Sequence, residues 1–149
     1  MEKLTMERRA YDNKYLHRDF HASTDNAIAY IAENFGEKAL DDYLLRYVDT
    51  RYSAMTLSEL NEYFKELYLK EEAEDALETK LLEDKLKIKI KYCPALKYLN
   101  ANGGASKWYY KTTTVMYPYL ANKCNLGFEL IFYDKETGEA EFIFFDLEK

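Results

Sequence analysis

The stretch "LKIKIKY", residues 86–92, alternates Leu86, Ile88, Ile90 and Tyr92 with Lys87, Lys89 and Lys91, and Lys85 stands just before it. A period of two places successive side chains on opposite faces of an extended chain. This segment therefore reads as a strand with an apolar face turned inward and a lysine face turned to water. One half-buried strand cannot stand alone, so partners have to be found elsewhere in the chain. The C-terminal run "GFELIFYDKETGEAEFIFF", 127–145, supplies them as two apolar segments around an Asp-Lys-Glu-Thr-Gly turn, a hairpin.

Upstream of the strand the period changes to that of helices. In "STDNAIAYIAENFG", 23–36, Ser23 or Thr24 offers an N-cap, Gly36 a C-cap, and Ala27, Ile28, Ile31 and Phe35 fall on one side. A second helix over 37–52 is carried by Ala39, Leu40, Tyr43, Leu44, Tyr47 and Val48. Thr56 and Glu59 form a capping box ahead of Leu57, Leu60, Phe64 and Leu67. The pattern breaks at 70–72 and resumes in helical register at Ala73, Ala76, Leu77 and Leu81, as one long helix or two. Beyond the strand, Pro94 opens a short helix that Gly103 and Gly104 close. Another helix spans the "TTVMYPYLANKCN" segment, kinked or started near Pro118. Helices, a strand, helices and a hairpin in that order predict a single α+β domain over 1–149, with N-terminal helices packed on a small antiparallel sheet.

The composition narrows the function classes. Fifteen Tyr and eight Phe against one Trp and two Pro suit an aromatic pocket, a packed interface or a core with wet edges. The net charge is −6, and residues 33–84 concentrate fifteen Asp and Glu against six Lys and Arg. No basic stripe suits a phosphate backbone, so nucleic acid is not an expected partner. No apolar run reaches membrane-spanning length and the N-terminal residues lack a secretory apolar core, which predicts a cytoplasmic protein without a membrane partner. Cys93 and Cys124 are then expected as reduced thiols. A homodimer through the aromatic surface is a further expectation.

Three groups of residues carry candidate chemistry. His17 and His21 stand four apart, one helical turn, and can face one cavity. They fit a metal, a general base, ligand hydrogen bonds or two satisfied core imidazoles. With two Cys and two His in the chain and no local Cys pair, a closed structural zinc site is not expected, nor is any cofactor. Cys93 precedes Pro94 at a strand-to-helix turn, where the helix N-terminus lowers a thiol pKa and favours a nucleophile; a packed apolar cysteine is the alternative. In "WYYKTTTVMYPY", 108–119, Tyr110, Lys111, Thr113 and Tyr117 are candidate ligand-binding residues. Phosphate-loop, nucleophile-elbow and EF-hand motifs are absent from the sequence.

The pieces "FGEKALDDY", "IKYCPALKYL" and "LGFELIFYDKETGEAEFIFF", and the order of elements that links them, resemble the L-2-amino-thiazoline-4-carboxylic acid hydrolase-like family. The resemblance implies the same α+β fold and, for activity, hydrolytic opening of a small cyclic amidine-like ring. It carries over Cys93 of the Cys-Pro pair. Its further Cys and Asp positions fall in "TTTVMYPYL" and "AEFIFF", which contain neither. The expected function is thus binding of a small polar or aromatic molecule by a divergent relative. The alternatives are an active hydrolase using Cys93 with His17 and His21, and a homodimeric interaction protein.

Overall fold

Residues 14–147 are described by the computed structural model, with side chains from Phe20 onward. Helices α1 (Lys14–Phe35), α2 (Glu37–Arg51) and α3 (Leu57–Lys70) come first. Strands β1 (Leu77–Leu81) and β2 (Lys85–Ile90) follow. Then come α4 (Pro94–Ala101), α5 (Lys111–Thr114) and α6 (Met116–Lys123), and finally β3 (Leu126–Tyr133) and β4 (Ala140–Asp146). The four strands form one antiparallel sheet in the order β1-β2-β4-β3. The chain is an α+β fold.

The alternation of β2 has the expected consequence. Leu86, Ile88 and Ile90 are buried, while Lys87, Lys89 and Lys91 are exposed. Tyr92 lies past the end of the strand, half-buried, and its hydroxyl bonds the Asp75 carboxylate at 3.1 Å. Opposite β2, β4 presents matching residues: Leu86 pairs with Phe144, Ile88 with Phe142 and Ile90 with Ala140. All six are buried on one face. Phe64 of α3 sits over this face, its ring 6.0 Å from those of both Phe142 and Phe144 and 5.4 Å from Tyr117. Phe128 of β3 completes the cluster, 5.2 Å from Phe144. Ring pairs at these separations add edge-to-face attraction to their burial.

Two sequence expectations are corrected. The helical register at Ala73, Ala76, Leu77 and Leu81 gives no helix: α3 stops at Lys70, Glu72 takes a left-handed φ of 55°, and after one 3-10 turn the chain enters β1. Leu77, Thr79 and Leu81 pair with the inward residues of β2. An edge strand buries little of its surface, so its period of two is faint and a helical spacing fits it equally well. The first helix begins well before Ser23 and Thr24, which lie inside it. Its inward seam runs through His21, Asp25, Ile28 and Ala32, whereas Phe35 is 67% exposed. Asp25 is held in this seam by Ser106, whose N–H and hydroxyl donate to its two oxygens at 2.8 and 2.7 Å. A hydrophobic pattern cannot register a core position filled by a hydrogen-bonded carboxylate.

The other boundaries follow their signals. Gly36, at φ 94°, separates α1 from α2. Thr56 and Glu59 form the reciprocal capping box. The helical segment before the hairpin is broken at Val115 into α5 and α6, and Pro118 falls in the first turn of α6, where its missing N–H needs no partner.

Truncating Phe142 to Ala should cost about 3–5 kcal/mol in denaturant unfolding, and Lys87→Ala, on the opposite face, less than about 0.5 kcal/mol. Similar costs for the two would contradict the assignment of faces.

Candidate functional site

The β3–β4 turn reaches back to the end of β2 and fixes Cys93. Asp134 organises the turn, accepting the Glu136 N–H on its side chain and the Gly138 N–H on its carbonyl, each at 2.8 Å. Asn100 of α4 donates to the Glu136 carbonyl at 2.9 Å, and the Cys93 N–H donates to that of Thr137 at 2.9 Å. Gly138 has φ 76°, and a Cβ there would lie 2.3 Å from the Cβ of Cys93. Only glycine meets both demands, the left-handed backbone and the close approach.

Cys93 opens onto a cavity of about 180 Å³ between the helices and this end of the sheet. His21 and Thr24 reach it from α1, Glu71 from the end of α3, and Thr112, Thr113, Met116 and Tyr117 from α5 and α6. Among the described residues seven tyrosines line it, and much of one wall is a relay of rings. Tyr43 meets Tyr47 at 6.5 Å, Tyr47 meets Tyr52 at 6.5 Å, and Tyr52 meets Tyr63 at 5.6 Å. The Tyr63 hydroxyl donates to that of Tyr52 at 3.0 Å.

Two polar side chains of the lining meet each other. His21 Nε2 lies 2.7 Å from Glu71 Oε1, with the two side chains only 16% and 10% exposed. Tyr68, Tyr109 and Tyr117 line the cavity together with Cys93, and their phenols, like that of Tyr133, feel the thiol's charge. Burial pushes the pKa of each well up, and the neighbouring thiol adds to it. These phenols keep their protons throughout the physiological range and can donate hydrogen bonds. Tyr133 owes its place to a β-bulge between Leu130 and Phe132, which shifts the register so that Tyr133 faces Ala140 on the inner side.

Two opposing influences act on the thiol. Cys93 is the N-cap of α4, and the N–H groups of Leu96 and Ala95 do lower its pKa. Burial is the larger effect and, with the Glu71 charge acting in the same direction, raises it. Cys93 is a neutral thiol at pH 7.

Of the residues singled out from the sequence, His21, Cys93, Thr113 and Tyr117 come together here. Tyr110 and Lys111 are not among the lining residues. Lys111 turns to α2, donating to Asp41 Oδ1 at 2.8 Å with Glu37 at 3.6 Å, and Tyr110 carries the Lys135 ammonium 4.1 Å above its ring. The side chain of His17 lies outside the described residues. Cys124 is at a separate place, its sulfur accepting the Met55 N–H at 3.2 Å. Sequence reasoning missed Glu71 and Tyr68, the one hidden at a helix end and the other standing outside the apolar stripe of Leu57, Leu60, Phe64 and Leu67.

No family model matches the chain, and no curated protein or solved structure matches it.

In a Cys124→Ser background, the pH profile of iodoacetamide alkylation should place the Cys93 midpoint above the ordinary thiol range. A midpoint below that of a free thiol would show that the helix N-terminus outweighs burial.

Proposed function

We propose that this chain is a small-molecule-binding domain whose ligand occupies the tyrosine-lined cavity. The observation that carries the reading is convergence. Side chains from α1, α3, the start of α4, α5 and α6, far apart in sequence, meet around one space of about 180 Å³. Its walls combine apolar ring surface with a few polar groups, the composition of ligand sites. Size limits the ligand: an apolar cavity of about 150 Å³ holds benzene, so this one suits a molecule of one ring or equivalent bulk. Protonated phenols and the neutral thiol can orient it by hydrogen bonds.

A hydrolase reading has one observation in its favour: Cys93 and the His21–Glu71 pair line the same cavity, as a nucleophile, a base and its orienting carboxylate would. The raised thiol pKa weighs against it, because the thiolate is the nucleophile. Binding without turnover is therefore the preferred reading. Among the described residues no helix is long and apolar enough to cross a membrane.

Titration with benzyl alcohol, followed by amide NMR, should move the signals of Cys93, Thr113, Tyr117 and Gly138 in a saturable way. Tyr68→Phe, which keeps the ring and removes the hydroxyl, should weaken binding by roughly threefold to tenfold, the value of one hydrogen bond. Shifts confined to the lysine face of β2, or none, would contradict the proposal.

A further inference from the structure

We propose that β1 is the contact surface for a second copy of this chain, the two β1 strands pairing antiparallel about a two-fold axis between their Thr79 residues. β1 is an end strand of the sheet, bonded to β2 on one side, and among the described residues no strand lies against its other side. The Lys91 N–H donates to the Ala76 carbonyl and the Leu82 N–H to that of Lys85, each at 2.8 Å. Antiparallel ladders alternate, so Glu78 and Lys80 also spend their backbone groups on β2, and Leu77, Thr79 and Leu81 turn theirs to the open side. The Leu77 N–H is taken by the Glu74 carbonyl. The Leu77 carbonyl and both backbone groups of Thr79 and Leu81 remain as a template for another strand.

The occupant is read from the strand itself, Leu77-Glu78-Thr79-Lys80-Leu81. Reversed about Thr79, it sets leucine against leucine, threonine against threonine and glutamate against lysine. In that register the Thr79 residues exchange both backbone hydrogen bonds, and each Leu81 N–H donates to the Leu77 carbonyl of the other copy. Glu78 and Lys80 then fall at non-hydrogen-bonded positions, where facing side chains come closest and opposite charges attract. Both are exposed, and neither makes an ion pair with a described residue. Lys80 lies directly opposite Lys87, an unfavourable pairing of like charges. A second copy brings its Glu78 to the other side of Lys80 and offsets that repulsion. On the inner face Leu81 is 41% exposed, and Leu77 of the second copy covers it. The far edge of the sheet is less suited, because the bulge between Leu130 and Phe132 interrupts β3.

Two such short strands bury less than a standard interface, so the dissociation constant is expected at about 10–100 μM. Sedimentation equilibrium of the full chain, at concentrations on both sides of that range, should show monomer passing to dimer. E78K and K80E each set like charges across the axis, and each should weaken dimerisation by roughly tenfold. An equimolar mixture of the two variants should associate again, because a chain with two lysines then faces one with two acids. The double variant E78K/K80E should likewise recover the homodimer. Such rescue separates strand pairing from any effect of either substitution on folding. A chain that stays monomeric throughout, species larger than a dimer, a dimer indifferent to both single substitutions, or no recovery in the mixture and the double variant would overturn the proposal.

Discussion

The pairing of β2 with β4 sets which side chains face the helices, and the rest of the molecule follows from it. Leu86, Ile88 and Ile90 lie opposite Phe144, Phe142 and Ala140, and a slip by one residue would send all six to the lysine side. Phe64 and Tyr117 pack on this face, so the positions of α3 and α6 depend on it. The ladder also decides where the hairpin turn ends. With Ile90 opposite Ala140, the turn before Ala140 overhangs the segment after Ile90. There the Thr137 carbonyl receives the Cys93 N–H and Gly138 abuts the cysteine side chain. The bulge in β3 turns Tyr133 inward at the same end. Core and cavity are two ends of one register.

Within the cavity, burial outweighs local helix electrostatics. A helix N-terminus favours a thiolate, and the N–H groups of α4 act in that sense on Cys93. They act on a thiol for which desolvation by burial, joined by the Glu71 charge, disfavours the charged form more strongly. The same effect keeps the surrounding phenols protonated. The result is a polar but largely uncharged lining, interrupted by the His21–Glu71 contact.

The sequence announced those parts of the fold in which a regular period coincides with burial. β2, the final hairpin, α2 and the capping box of α3 were legible because apolar spacing or cap chemistry marked them directly. β1 was not, because an edge strand with a turn lacking glycine leaves no distinct period. The early start of α1 was hidden because His21 and Asp25 occupy inward positions that a hydrophobic pattern counts as outward. For the site, His21, Cys93, Thr113 and Tyr117 were visible as chemistry, but their convergence depends on tertiary contacts between distant segments. Lys111 shows the reverse case: its charge suggested a ligand contact, and the structure commits it to Asp41 and Glu37. Glu71 gave no signal, since one acid in a strongly acidic stretch reads as solvated surface.

The central claim is that β2 is an interior strand flanked by β1 and β4, with its register setting both core and cavity. Amide hydrogen exchange across 85–90 tests it most directly. An interior antiparallel strand bonds every amide, on one side or the other, whereas an edge strand leaves alternate amides to solvent. The account predicts slow exchange at Leu86 through Ile90, without alternation and close to the global unfolding limit. Alternating fast and slow amides along this segment would contradict it, because β2 would then lack one of its two partners.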